Sequence, residues 1–203
     1  GCPVTRVEIE YDPERGREMH RLMNSVVVPR PIAWVSTISI DGVENLAPHS
    51  YFTVASAVPA VLQFTSVGHN DSLTNAVDTG EFVINLSSRP MFEQINATGT
   101  SYPAEISEFE AASVRTEPSK SVRPPRVAES PVALECRTEG TADFGDSVVV
   151  FGKLVHIAID ESVMVDGHPE IERLQPLARL GKDQWSTIGE ILEIKRIPYE
   201  PRD

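Results

Sequence analysis

The segment from Val28 to Thr65, VPRPIAWVSTISIDGVENLAPHSYFTVASAVPAVLQFT, constrains the fold of this chain more than any other. It reads as three strands. The residues from Ile32 to Ile40 are rich in β-branched types and end at Asp41-Gly42, a pair suited to a type I′ hairpin turn. The middle strand carries a proline within Asn45-Leu46-Ala47-Pro48-His49-Ser50, which predicts a break there, because proline cannot donate to a ladder. Neighbouring backbone N–H groups would then be free to face a ligand.

Around this segment the chain alternates short helices with further strands. Asp12-Pro13 predicts a helix start, Asp capping orphan N–H groups and Pro fitting the first helical position, with the helix running to about Asn24. Ala60 to Thr65 is a short apolar strand, and Asp71-Ser72 caps one or two turns over Leu73 to Asp78, stopped at Gly80. A strand over Phe82 to Leu86 and a helix from about Pro90 to Ala97, ended by Gly99, come next. The four prolines between Glu117 and Pro131 predict an extended surface loop, the best candidate for a mobile excursion. Val132 to Arg137 and Val148 to Ile159 read as strands of a barrel or a subunit interface. The order predicts a mainly β protein, a small β-barrel with short helices, in one domain spanning residues 1–203.

Charge narrows the partners. With 18 Lys+Arg against 30 Asp+Glu the formal charge is −12, which argues against nucleic acid or an anionic membrane. No apolar run approaches the length of a bilayer span, and the charged first twenty residues lack a signal-peptide core. Two cysteines, Cys2 and Cys136, cannot make a disulfide framework, so a cytoplasmic location is expected. Cys136 reads as a small buried hydrophobe. The five histidines share no i, i+4 spacing, so no metal site is expected.

The sequence has no G-x-G-x-x-G after a strand and no G-x-x-x-x-G-K-[ST], so any phosphate must be cradled without those glycine loops. Three runs carry a different signal: Arg30-Pro31-Ile32-Ala33-Trp34-Val35-Ser36-Thr37, Asn45-Leu46-Ala47-Pro48-His49-Ser50-Tyr51-Phe52 and Thr79-Gly80-Glu81-Phe82-Val83-Ile84-Asn85-Leu86. With Tyr11-Asp12-Pro13 near one end and Leu180-Gly181 through Gly189-Glu190 near the other, the chain resembles the flavin reductase-like family of FMN-binding split barrels.

The resemblance implies a Greek-key-like antiparallel barrel, FMN as cofactor, and a homodimer with flavin at or near the interface. It assigns Ser36, Thr37, Asn45, Ala47, Ser50 and Tyr51, with Leu46 in the same run, to the ring and ribityl chain. It assigns Ser66, Asn70 and Ser72 to the phosphate, where the helix start offers N–H groups and a hydroxyl. The family's usual phosphate lysine is Asn70 here, so Arg30 or His69 is expected to supply the charge. Trp34 reads either as a cover for the ring or as core. Gly145-Asp146-Ser147 falls where many such reductases have Gly-Asp-His near the nicotinamide, which leaves the donor open between NADH or NADPH and a redox protein. The implied function is an FMN-binding oxidoreductase. A flavoredoxin-like electron carrier and a flavin-free scaffold barrel are its alternatives.

Overall fold

A computed structural model describes residues 1–203. Seven strands form one antiparallel sheet: β1 (Ala33–Ile38), β2 (Glu44–His49), β3 (Phe52–Ser56), β4 (Val61–Val67), β5 (Glu81–Leu86), β6 (Val132–Phe144) and β7 (Ser147–Ile159). Their spatial order is β2-β1-β5-β6-β7-β4-β3. The sheet curls into a barrel whose two edges, β2 and β3, are consecutive in sequence yet unpaired with each other. Only Ser50 and Tyr51 join them. The barrel is therefore split along a seam, as the resemblance implies.

Four helices matter to that seam: α1 (Gly16–Val26), α2 (Asp71–Asp78), α3 (Phe92–Thr98) and α4 (Glu108–Ala111). Asp12 Oδ1 accepts the Glu14 N–H at 2.9 Å and opens a 3₁₀ turn over Pro13–Arg15, which leads into α1 much where the Asp-Pro pair predicts. No helix is long and apolar enough to cross a membrane.

Strand β1 is buried on both faces. Ala33 and Val35 point into the barrel with Phe64, Phe82, Ile84 and Val150, while Trp34 points outward under α3 and α4 with Leu46, Ile95 and Phe109. Phe64 and Phe82 meet edge-on with centroids 5.2 Å apart. Strand β7 carries register shifts at Phe151/Gly152 and at Leu154/His156, bulges that bend it between its two neighbours.

Three local expectations are corrected. The chain reverses after β1 through Ile40, Asp41 and Gly42, with Gly42 N–H bonded to Ser39 O at 3.0 Å and only Gly42 (φ +88°) in the left-handed region. This is a three-residue loop rather than a type I′ turn on Asp41-Gly42, because the residues before Gly42 keep ordinary φ. Strand β2 also runs unbroken through Pro48, which pairs in register with Trp34. Leu46 sends its N–H outward to Glu108 Oε1, and Pro48, two residues on, shares that outward side, so its missing N–H costs the ladder nothing.

Finally, the segment 117–131 is packed rather than a free excursion. Val122, Pro124, Pro125 and Val127 are buried, and the segment is tied down by fully buried Glu135. Glu135 Oε1 accepts the N–H groups of Lys120 (3.0 Å) and Ser121 (2.6 Å), and its Oε2 accepts from Arg126 Nε (3.0 Å) and Nη2 (2.6 Å).

Candidate functional site

Where two sheet edges fail to pair, backbone donors are left over. A cleft of about 590 Å³ lies at this seam, a volume in the range of small-molecule sites. One wall is the end of β2 and the corner, Ala47 to Tyr51, and another is Thr65 and Val67 of β4. His69 to Ser72 at the start of α2 and the run Thr98 to Tyr102 after α3 complete it, with Glu108 beneath.

The corner holds its shape through Thr65 N–H bonded to Tyr51 O at 2.8 Å, while the N–H groups of Ser50 and Tyr51 donate to no protein acceptor. Across the cleft, Asn70 caps α2: its Oδ1 accepts Leu73 N–H at 3.0 Å and its carbonyl accepts Thr74 N–H at 3.1 Å. The Asn70 Nδ2 donates to Ser66 Oγ at 2.7 Å, and that hydroxyl donates to Gly68 O at 2.8 Å, which fixes the loop. The N–H groups of Asp71 and Ser72 remain open at the positive end of the helix.

Two titratable groups in the cleft are driven toward their neutral forms. Burial pushes the His49 imidazole down to about 4, opposed by the Thr65 backbone, and the ring packs on Phe64 with centroids 4.9 Å apart while its Nε2 is buried without a hydrogen-bond partner. Burial also raises the Glu108 carboxyl, against the lowering effect of the Leu46 N–H. At the rim, Tyr51 Oη donates to Asn24 Oδ1 at 2.5 Å, and His20 Nε2 lies 2.9 Å from Tyr51 Oη and 3.0 Å from Asn24 Nδ2. The cleft thus offers amides, hydroxyls, imidazoles and the carboxyls of Asp71 and Glu108, and no lysine or arginine lines it.

Of the residues expected from sequence, Ala47, Ser50, Tyr51, Asn70 and Ser72 line the cleft, as does His69. The others lie elsewhere. Trp34 is fully buried, its Nε1 donating to Thr98 Oγ1 at 2.9 Å, so it is core and not a cover. Ser36 donates to Pro125 O under the 117–131 segment, and Thr37 Oγ1 accepts from Asn75 Nδ2 at 3.1 Å. Asn45 donates to Val43 O, and the Leu46 side chain sits in the core.

Ser66 supports the α2 loop from behind. Arg30 donates from Nη1 to Asn24 O and Val27 O, both at 2.8 Å, and from Nη2 to Leu180 O at 3.2 Å. Its guanidinium, 5.7 Å from the Tyr51 ring centroid, braces that ring from outside the cleft and supplies no charge within it. Sequence reasoning missed His20, Asn24, Thr65, Thr98 to Tyr102 and Glu108. The polar run Thr98-Gly99-Thr100-Ser101 directly after a helix was the one available signal.

An antiparallel split barrel with donors concentrated at its seam defines the class, and the chain belongs to the flavin reductase-like domain family, whose model matches residues 23–172. It is 37% identical to an uncharacterized protein from Aquifex aeolicus over 172 residues, covering 82% of this chain and 88% of that one. Among solved structures it resembles nitrilotriacetate monooxygenase component B from Bacillus cereus, with TM-score 0.86, 27% identity, and coverage of 94% and 100%. It likewise resembles the Pseudomonas fluorescens 2-nitrobenzoate 2-nitroreductase NbaA, with TM-score 0.86, 25% identity, and coverage of 96% and 99%.

Proposed function

We propose that the seam cleft holds FMN and that the protein is a flavin-dependent oxidoreductase. The observation that carries this reading is the pair of unsatisfied N–H groups at Ser50 and Tyr51 in a cleft that also takes in the open N-terminus of α2, in a chain of this family. A flavin matches that donor set. Its ring carbonyls suit the corner amides, its ribityl hydroxyls suit groups such as Ser72 Oγ, and its phosphate suits the Asp71 and Ser72 N–H groups. The neutral leaning of Glu108 lessens the negative charge a phosphate would meet, leaving Asp71 as the other carboxyl of the cleft. When bound, the flavin supplies hydride and single-electron chemistry, while the chain holds, orients and partly shields it.

The same reading includes a homodimer. Leu192, Ile194, Ile197 and Tyr199 are 81–91% exposed on an arm without regular structure, apolar surface that a second copy would cover. Two free thiols, Cys136 buried and pushed up to about 12 by burial, support a reducing cytoplasmic setting.

FMN titrated against the purified protein should lose fluorescence, and Ser50→Trp should abolish uptake while sparing the fold. A wild-type protein that neither carries nor takes up flavin overturns the reading. Ser147, at the β6–β7 turn, favours the electron-carrier form over direct use of NADH or NADPH. Under anaerobic conditions, rapid bleaching of the bound flavin by either nucleotide would decide for the reductase.

A further inference from the structure

The seam cleft is built for neutral hydrogen bonding, and its fixed charge is negative. Ser72, Thr100, Ser101 and Tyr102 line it together with the open corner amides of Ser50 and Tyr51, a set that answers the carbonyls of a flat ring and the hydroxyls of a polyol. The charged side chains of the lining are those of Asp71 and Glu108, with no lysine or arginine to offset them. An anionic end group finds little there to hold it.

The start of α2 is where a phosphate meets open donors, and the positive end of that helix is already answered within the chain. Asp71, the first residue of the helix, sets its own carboxylate on the turn whose N–H groups are open. Its charge is felt in the cleft, because burial first and then Asp71 raise the Glu108 carboxyl, against the Leu46 N–H. Asn70 adds no charge. Its side chain is committed to the loop, Oδ1 to Leu73 N–H at 3.0 Å and Nδ2 to Ser66 Oγ at 2.7 Å. Arg30, behind Tyr51, gives both Nη groups to the carbonyls of Asn24, Val27 and Leu180. Burial keeps His49 neutral down to about 4, and His20, His69, Tyr51 and Tyr102 complete the titratable lining.

We propose that this chain recognises a flavin through its ring and ribityl chain, with the phosphate adding no net affinity, so that riboflavin binds as tightly as FMN. Asp71 is the residue that sets this balance, its carboxylate cancelling what the helix start offers an anion. The inference deepens the flavin reading and rests on it for the occupant of the cleft.

The test titrates riboflavin and FMN separately into the purified protein at about pH 8, above the ordinary imidazole range, and follows the quenching of flavin fluorescence. The two Kd values should agree within about fivefold, and that of FMN should change less than about twofold between low and high KCl. A wider gap in either direction overturns the proposal. So does a steep salt dependence confined to FMN, which would mean that a cation from elsewhere, such as a second copy, holds the phosphate. Asp71→Asn keeps the backbone donors and removes the carboxylate, while Ser101→Lys adds a cation at an exposed position of the lining. Each variant, checked as folded by circular dichroism, should tighten FMN by about tenfold and riboflavin by less than about twofold. If the folded variants shift both flavins alike, or neither, the charge account falls and the flavin reading stands. If the wild-type chain takes up neither flavin, the flavin reading falls and this inference falls with it.

Discussion

Glu108 Oε1 accepts the outward N–H of Leu46 at 3.0 Å, a bond that fastens α4 to the free edge of β2 directly beneath the cleft. Glu108→Ala should leave that buried N–H unsatisfied and cost about 1–3 kcal/mol, whereas Glu108→Gln, which retains an acceptor, should cost less. Because burial raises this carboxyl, the native state holds its proton at pH values where the unfolded chain has released it. Its contribution is therefore complete below the unfolded carboxylate range and is lost as pH rises through the raised native value. Urea unfolding of the wild type and Glu108→Gln across that window would show the difference narrowing or vanishing toward acid.

His49 has the opposite sign. The native state keeps it neutral down to about 4, so between pH 6.5 and 4 the unfolded chain binds a proton that the folded chain does not. Stability should fall as pH drops through this window, by roughly 3 kcal/mol at about 1.4 kcal/mol per pH unit. His49→Phe, keeping an aromatic ring against Phe64, should flatten the acid limb in flavin-free protein. An unchanged slope between pH 6.5 and 4 would count against burial as its source.

The Arg126–Glu135 pair should be the most costly single polar contact to break. Arg126→Met leaves a fully buried carboxylate with backbone donors alone, an expected loss of about 3–5 kcal/mol in denaturant unfolding. Burial pushes Glu135 up, but the Ser121 N–H, Arg126 and the Lys120 N–H together hold it below the usual carboxylate range. The stability it contributes is present above its unfolded value and lost as pH falls through the native one. Limited proteolysis of Arg126→Met should cut first between residues 117 and 131.

Gly152→Ala should lower the melting temperature. A Cβ there would overlap Phe82 Cζ and lie 2.9 Å from Phe82 Cε1 and 3.0 Å from Cys136 Cβ, inside the barrel. Displacing that ring from its edge-on contact with Phe64 should cost about 1–3 kcal/mol. Gly140→Ala, whose Cβ would meet nothing within 4 Å, serves as the control in the same thermal scans.

The barrel was largely legible because β-branched runs and glycine punctuation are local signals. The pairing that leaves β2 and β3 as separate edges was not, since it depends on β6 and β7 far along the chain. The site follows the same division. Ala47, Ser50 and Tyr51 share one short corner and Asn70 and Ser72 one helix start, so contiguous sequence exposed them. Thr98 to Tyr102, Glu108 and His20 reach the cleft only through helix packing. Strand parity decides two further positions: Ala33 and Val35 face the barrel interior, so Trp34, open between cover and core in the sequence, is core under the helices, and Ser36 faces away from the barrel interior as well.

An open rim on a β-structure ordinarily invites a foreign strand to dock. On β2 two successive outward positions are closed to such an intruder, since Glu108 already occupies the hydrogen of residue 46 and residue 48 has none to give. A lengthening ladder could not start there. The molecule can therefore keep its seam unsealed for a small guest while refusing the fibrillar growth that an unguarded margin would template.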